Sequence, residues 1–454
     1  MIEIATVGAF ALVCLLAVMS PAWALALVMT MYAFEQAAQA SNPVFVRILP
    51  LANFLVALSV GLCIVRSMMT QRGLFDGYFN PVWWGTAMIF GFSATSLMWT
   101  PARDTAIPLL NSAAPYFVLF VLLSPLLVRD AESLVKFTAA FLVVGVMIVG
   151  LMLVNPAFTV KAGRLGFHLD ATVRTNPLAM GELGGNILIA AALFRVGASA
   201  WYIQLFRVAG FVFGAILALQ SGSRGQVVFA VVIAAAFYPI STRVKNIAGF
   251  AFGALGAIIL IPAVLLLASY ILGAEEMHRW DSTVISGGAN VRMANAWELF
   301  AAWLRTPHAW VMGLGFNAFT AVSAARSEPY SHVMFLDVLC EQGIPMFVLF
   351  GVTIGLAVRD SIWLFKRYAD TVRERAAIAT FYAFFIYQVM LVNKQGYVWA
   401  AMAFFFQMVV VSRLRRRAEQ ADLEAADFIE DHPESAEEHD ESPHEDPGRL
   451  AGTA

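Results

Sequence analysis

Charged residues are scarce in this sequence, and their scarcity decides its broad class. Only 13% of its 454 residues are charged, whereas 60% are hydrophobic. Apolar runs of about 20 residues, the length that crosses a bilayer as a helix, recur along the whole chain. A soluble domain is therefore excluded. We predict an all-α, polytopic helical membrane protein with about 12 transmembrane helices, in a range of about 11 to 13.

Motifs for disulfides and metal ions are also lacking. The three cysteines, Cys14, Cys63 and Cys340, lie in separate apolar segments without C-x-x-C spacing, so neither a disulfide framework nor a thiolate metal site is indicated. The chain contains no Asp-x-Asp and no His-Glu-x-x-His motif, and its histidines lack ligand-like spacing. We therefore predict chemistry without a metal or another cofactor.

A positively charged segment is missing at the N-terminus, where the apolar run 4–32 continues through Ala22-Trp-Ala24. We interpret this run as a retained first span, kinked at Pro21, and not as a removed signal peptide. One crossing and two crossings of the membrane both agree with its length. The further predicted spans are approximately 48–68, 82–99, 106–128, 133–153, 177–197, 202–220, 225–240, 247–272, 333–358, 376–391 and 397–412.

Acidic residues are concentrated at the C-terminus, so the overall charge of the chain conceals two different parts. Of the 31 acidic residues, 13 follow Arg417, whereas 28 of the 29 lysines and arginines lie at or before it. Residues 1–417 therefore form a membrane-embedded domain with about ten excess positive charges. Residues 418–454 have too few apolar side chains to offset the entropy of ordering, and we predict an acidic, disordered cytoplasmic tail.

Basic loops set the predicted orientation. The loop with Arg359, Lys366 and Arg373, together with the run 413–417, is assigned to the cytoplasm by the positive-inside rule. The opposite face then receives the segment 155–176, the turn 221–225 and the long loop 273–332. Each of the three carries arginine on the side where arginine is uncommon, so these cations are candidates for function.

The turn Ser221-Gly-Ser223-Arg224-Gly225 joins two predicted spans. It holds the Arg224 guanidinium beside the open backbone amides at the start of a helix, an arrangement that binds anions. The alternative is an interfacial arginine that reaches a lipid phosphate. Because the turn is short and faces the side poor in arginine, we favour an anion site that includes Ser223.

The preceding segment, 155–176, contains Lys161, Arg164, His168 and Arg174. Such a cluster suits a diphosphate, and contact with an anionic lipid is the alternative for each cation. In the following span, Glu182 and Asn186 lie one turn apart. Polar groups within the membrane are candidates to line a site, although either could equally pair with a nearby arginine.

The long loop and the residues after it supply two further candidates. Asn290 is suited to cap an amphipathic helix over 293–305. Arg292, in the first turn, would then oppose the helix dipole, which favours an anionic ligand as the reason for its presence. His332 stands where the loop meets the next span, and a neutral imidazole there can accept a proton near neutral pH. A satisfied interfacial histidine is the alternative.

These motifs occur in a characteristic order. Ser-x-Ser-Arg-Gly at a span junction is followed by an arginine-led amphipathic helix and Gly-x-Gly-Phe. A histidine then precedes Phe-Leu-x-x-Leu-x-Glu-x-Gly-Ile. Together they resemble the O-antigen ligase and O-antigen polymerase superfamily over residues 160–350. Val333 departs from the family, which often has asparagine after the histidine.

The resemblance implies a metal-independent, C-type glycosyltransferase that takes a glycan from undecaprenyl diphosphate at the periplasmic face of a bacterial inner membrane. Arg224 and Arg292 would hold the diphosphate, and His332 would orient or deprotonate the acceptor hydroxyl. Arg164 and Arg174 would assist. The implied partners are the lipid-linked donor, a lipid A-core or growing glycan acceptor, membrane lipids and other polysaccharide-assembly proteins, with no nucleic acid.

Two alternatives stay open. A ligase transfers a finished glycan, whereas a polymerase transfers it to another repeat unit, and nothing in the sequence separates them. A transporter or flippase for a lipid-linked or anionic solute belongs to a different class. Such carriers usually place acidic residues deep within their spans. Here deep acids are few and the arginines gather on one face, which favours a reaction site.

Overall fold

The computed structural model describes residues 1–161, 164–167, 176–195, 201–242, 282–323 and 330–431. These residues form helices and one two-stranded antiparallel hairpin, β1 (Phe158–Lys161) and β2 (Arg164–Phe167). The helices are α1 (Ile2–Met19), α2 (Pro21–Ser41), α3 (Pro43–Arg47), α4 (Leu51–Thr70), α5 (Pro81–Thr95), α6 (Arg103–Phe117), α7 (Ala131–Val154), α8 (Pro177–Leu193), α9 (Trp201–Gln220), α10 (Arg224–Thr242), α11 (Ser282–Leu304), α12 (Ala309–Met312), α13 (Phe319–Val322), α14 (Met334–Arg367), α15 (Val372–Gln395) and α16 (Met402–Asp431).

Eight helical segments within the described residues are long and apolar enough to cross a membrane. One of them, Arg103–Leu127, comprises α6 and the short π and 3-10 turns that continue it. Helices α5 and α8, with 15 and 17 residues, are shorter, and the predicted span 247–272 lies outside the described residues. The chain is thus a helical, multi-pass membrane protein with eight such helices among the described residues, and the predicted total of twelve is not confirmed.

The first apolar run forms two antiparallel helices. Ser20 has extended backbone angles between α1 and α2, and Pro21 opens α2 at a position where its missing N–H costs nothing. The rings of Phe10 and Phe34 lie 5.2 Å apart, so the second helix packs back against the first. The run, for which the sequence allowed one crossing or two, is therefore a helical hairpin.

The bundle has two distinct ends. At one end, here called the basic end, the buried Arg413 side chain donates hydrogen bonds to the carbonyls of Leu74, Asp76, Pro125 and Val128. At the opposite end, here called the loop end, the Thr100 hydroxyl donates to the Phe316 carbonyl at 2.7 Å. Successive long helices run between these ends, so the segments 221–223, 305–323 and 396–401 meet at the loop end.

Glycines let three helices approach closely near the loop end. A side chain at Gly184 would lie 2.8 Å from the carbonyl oxygen of Gly214, so α8 and α9 pack backbone to backbone. A side chain at the next residue, Gly185, would collide with the Tyr387 hydroxyl of α15. Helix α8 is therefore held between α9 and α15, which brings Glu182 beside α15.

Helix α14 is interrupted at Gly343, as its glycine and the nearby Pro345 predict. Gly343 has φ 82°, a left-handed conformation that favours glycine. Residues 311–317 pack against this break: the amides of Leu314 and Gly315 donate to the carbonyls of Cys340 and Glu341 at 2.8 and 3.0 Å. The Glu341 carboxylate also accepts from the amide of Asn317 at 3.1 Å. This carboxylate thus anchors the loop.

Helix α16 continues well past the predicted span 397–412, to Asp431. The predicted acidic tail, 418–454, therefore begins within a helix. An Arg415–Glu419 pair one turn apart, at 2.7 Å, and an Arg367–Asp422 pair at 2.6 Å accompany this extension. Charged pairs at this spacing support a helix that already propagates from a membrane span. Residues 432–454 lie outside the described part of the chain.

Candidate functional site

Three positive side chains, here called the cation cluster, meet at the loop end: Arg224, Arg292 and Lys394. The turn between α9 and α10 is tight because Gly222 has φ 67°, and Arg224 is the first residue of α10. The Lys394 ammonium, at the end of α15, donates to the Ser223 hydroxyl at 3.2 Å. The turn and the end of α15 therefore form one surface.

Gly225 permits this contact. A side chain at Gly225 would lie 2.5 Å from the Lys394 ammonium nitrogen, so any larger residue would displace the lysine. The small residue that follows Arg224 in the Ser-x-Ser-Arg-Gly motif therefore makes room for a second cation. Lys394 lies directly against the first turn of α10, where backbone amides lack helical partners.

The cluster carries excess positive charge. Arg292 is close enough for its charge to repel those of both Arg224 and Lys394. In the part of the chain that the structure describes, no carboxylate forms an ion pair with any of the three, and Nη1 of Arg224 is buried without a hydrogen-bond partner. Cations held together without a counter-ion are suited to an anion with several oxygen atoms.

Arg292 reaches this cluster from a longer helix than predicted. Helix α11 begins at Ser282 and not near Asn290, so Arg292 lies within the helix, and its proposed conflict with the helix dipole at a first turn is wrong. A capping preference is weak compared with continued helix propagation. The apolar stripe predicted for this helix is confirmed only in part. Trp303 is buried and Phe300 partly buried against α12 and α13, whereas Met293, Trp297 and Leu304 are exposed.

His332 is held in an unusual backbone conformation at the start of α14. Its φ is 73°, and non-glycine residues in this region are uncommon and recur at functional sites. Both neighbours of His332 are fixed by hydrogen bonds. The buried hydroxyl of Ser331 donates to the Asp337 carboxylate and accepts from the amide of Val333 at 3.2 Å. The imidazole contacts the Tyr330 ring edge to face, at 4.6 Å between centroids.

A cavity of about 330 Å³, here called the polar cavity, lies beside these residues. Glu182 and Gln388 line it and hydrogen-bond to each other at 2.6 Å. Tyr330 and Tyr397 form an aromatic wall, with their rings 5.6 Å apart. Burial, reinforced by the neighbouring Tyr330, raises the pKa of Tyr397 to about 12, so this hydroxyl keeps its proton at neutral pH and can donate a hydrogen bond.

A second, smaller cavity of about 120 Å³ adjoins the first through Ala179 and Glu182. Apolar side chains of α2 and α8 line most of it, and Asn186 also faces it. The side-chain oxygen of Asn186 is buried with no hydrogen-bond partner among the described residues. The two predicted liners within α8 therefore face cavities, and neither pairs with an arginine in the described structure.

The structure brings some predicted site residues together and leaves others apart. Arg224 and Arg292 belong to the cation cluster, and Ser223 contacts its third member, Lys394. His332 lies at the same end, because the amide of Phe335, three residues later, is 3.4 Å from the side-chain oxygen of Asn393, which precedes Lys394. Arg164 is exposed on β2, with no contact to the cluster among those the structure gives. Arg174 lies outside the described residues.

Sequence reasoning missed Lys394, Gln388 and the two tyrosines. A signal existed for the lysine, since it ends a span on the face that should be poor in cations, but it stands alone in the sequence. No protein-family model and no curated protein matches this chain. The function therefore has to be argued from the site.

Proposed function

We propose that this chain transfers a glycan from undecaprenyl diphosphate to an acceptor hydroxyl, as an O-antigen ligase does, in lipopolysaccharide or surface polysaccharide biosynthesis. The reaction would occur at the periplasmic face of a bacterial inner membrane, with the C-terminus in the cytoplasm. The observation that supports this most is the cation cluster, which has no counter-ion among the described residues and adjoins the end of a helix bundle. The head groups of lipids lie at the ends of a membrane-spanning bundle, so an anionic lipid head group can reach the cluster.

The proposed step breaks one bond and forms another. The acceptor oxygen attacks the anomeric carbon of the donor sugar, and the bond from that carbon to the diphosphate oxygen breaks with its electron pair on the phosphate. Arg224, Arg292 and Lys394 stabilise the negative charge that develops on the leaving group. The acceptor proton passes to the imidazole of His332, which acts as general base. No protein-bound intermediate is needed.

A polymerase would use the same donor chemistry, so the acceptor decides between the two activities. The test is glycan transfer by purified protein in liposomes, with lipid A-core and a second lipid-linked repeat unit supplied separately. We expect wild-type protein to transfer, and Arg224→Ala, Arg292→Ala and His332→Ala to lose about 10²-fold or more in rate. Lys136→Ala serves as the control, because Lys136 is an exposed cation paired only with Glu132.

Two outcomes contradict the proposal. If the three variants keep wild-type rates while inserted in the membrane, the cluster and His332 have no part in transfer. If wild-type protein moves the lipid across the bilayer without breaking the glycosidic bond, the transporter alternative replaces it. A parallel reaction with a chelator should proceed unchanged, and a strict requirement for a divalent ion would contradict the metal-free step.

A further inference from the structure

We infer that the polar cavity binds the sugar attached directly to the diphosphate of the lipid-linked donor. This inference rests on the proposed function and deepens it, because it assigns a second part of the donor to a second part of the site. The inference is supported by the composition of the cavity wall and by the contacts of the cavity with both the cation cluster and His332.

The wall has the chemistry that a sugar ring requires. Sugar hydroxyls both donate and accept hydrogen bonds, and the Glu182 carboxylate accepts while the Gln388 amide and the Tyr397 hydroxyl also donate. Tyrosine rings offer flat apolar faces that pack against the C–H face of a sugar. Leu391 and Val392 complete the apolar part of the wall. The ligand is therefore neutral, polar and ring-shaped.

The same wall disfavours the diphosphate itself. A diphosphate needs positive charge around its oxygens, and Glu182 supplies none. None of the three cations lines the cavity. The phosphate oxygens therefore belong at the cation cluster, and the uncharged part of the donor belongs in the polar cavity.

The cavity and the cluster share their walls. Leu178 lines the cavity, and its carbonyl accepts from the Gln226 side chain at 2.6 Å, two residues after Arg224. Val392 lines the cavity two residues before Lys394. On another side, Tyr330 lines the cavity and also contacts His332. A sugar in this place would lie next to both the diphosphate and the proposed base.

Contact with both the diphosphate site and the proposed base is expected for the donor sugar and not for the acceptor. The donor sugar is the unit whose anomeric carbon must be bonded to the diphosphate and open to attack from the side of the base. The cavity volume of about 330 Å³ lies at the low end of small-molecule sites, which suits one sugar unit more than a long glycan. The remainder of the glycan would extend beyond the loop end.

Equilibrium binding separates this inference from the proposed function. The probes are lipid-linked glycan extracted from the native cells, sugar-free undecaprenyl diphosphate and the free glycan without lipid. The variants are Glu182→Gln, Tyr397→Phe and Arg224→Ala. The control is Glu35→Gln, because Glu35 is also a carboxylate bonded to a glutamine, Gln39 at 3.3 Å, yet it lines neither cavity.

We expect wild-type protein to bind the glycan lipid more tightly than the sugar-free lipid. Glu182→Gln and Tyr397→Phe should each lose about tenfold in affinity for the glycan lipid and bind the sugar-free lipid as wild type does, which also shows that they fold. Arg224→Ala should weaken binding of both lipids, and Glu35→Gln should change neither.

Three results would overturn the inference. If the cavity variants weaken both lipids equally, the cavity binds the diphosphate or the lipid chain. If they weaken only the free glycan, the cavity holds the acceptor or a distant sugar. In both cases the proposed function survives. If wild-type protein binds neither lipid, the proposed function fails, and the inference fails with it.

Discussion

Arg224, Arg292 and Lys394 repel one another, and such a group persists in a fold only where the rest of the structure holds it in place. Here Gly225 opens the space for Lys394 and Ser223 accepts its hydrogen bond. A ligand that brings several anionic oxygens relieves the repulsion. In the proposed reaction, that relief would come from the charge that develops on a departing diphosphate.

Lys394→Met keeps the length of the side chain and removes its charge. We expect the rate of glycan transfer to fall about 10²-fold, as when one electrostatic donor is removed from an active site, with insertion into the membrane unchanged. The matched control is Lys136→Met at the opposite end of the bundle, where the side chain is 66% exposed. Equal rates for both variants would remove Lys394 from the mechanism.

Gly225→Ala tests the position of the lysine without removing it. The added methyl group would lie 2.5 Å from the Lys394 nitrogen. The flexible end of the lysine can move aside, so we expect a melting temperature close to wild type but a loss of transfer of up to about 10²-fold, since small misplacements are costly in catalysis. Gly91→Ala, with open space around the new methyl group, should keep wild-type activity.

At the residue scale, the sequence predicted those cations that stand in recognisable patterns. Ser223 and Arg224 share a turn, and Arg292 follows a candidate cap, so each had a local reason to be noticed. Lys394, Gln388 and Tyr397 stand in no such pattern. Their partners, Ser223, Glu182 and Tyr330, lie far away in the sequence and meet them only through packing. The exposed Arg164 shows the converse: a cation in a suitable segment need not reach the cluster.

At the element scale, helix α14 begins shortly after His332 and also forms the platform for residues 311–317, which pack against its break at Gly343. The sequence predicted this break, since glycine followed closely by proline interrupts a helix. The sequence did not predict that α11 begins at Ser282 or that residues 418–431 are helical. A helix that has already formed extends easily into neighbouring residues, so its ends are poorly set by local sequence. The hairpin of α1 and α2 was left open for the same reason.

Gly343→Ala should damage this platform. Its methyl group would lie 2.4 Å from the backbone oxygen of Val311, and φ at this position is 82°. Neither conflict can be relieved by a side chain alone, so we expect a loss of unfolding free energy on the order of 1–3 kcal/mol or more, measured by thermal unfolding in detergent. Gly351→Ala is the control in the same helix, because its methyl group would meet open space. Similar stabilities would contradict the role given to the break.

At the scale of the whole molecule, the positions of the two ends follow from contacts that are far apart in the sequence. Arg66 donates to the carbonyl of Met19 at 3.1 Å, which places the end of α1 at the basic end, near the Arg413 contacts. An 18-residue helix is about 27 Å long, so the start of α1 reaches the loop end. The chain therefore begins on the same side as the candidate site, a conclusion that composition and charge left undecided.

Labelling with a membrane-impermeant thiol reagent tests this arrangement. Single cysteines would replace Glu3, Arg305 and Arg373, all of which are exposed. We expect Glu3→Cys and Arg305→Cys to react from one side of intact vesicles and Arg373→Cys only from the other. The native Cys63 and Cys340 are buried and Cys14 is half-buried, so wild-type protein supplies the background. If Glu3→Cys reacts together with Arg373→Cys, the first run crosses once and the hairpin does not form in the membrane. If Arg305→Cys reacts from the cytoplasmic side, the cation cluster faces the cytoplasm. A donor at the periplasmic face could not reach it, and this result would contradict the proposed function.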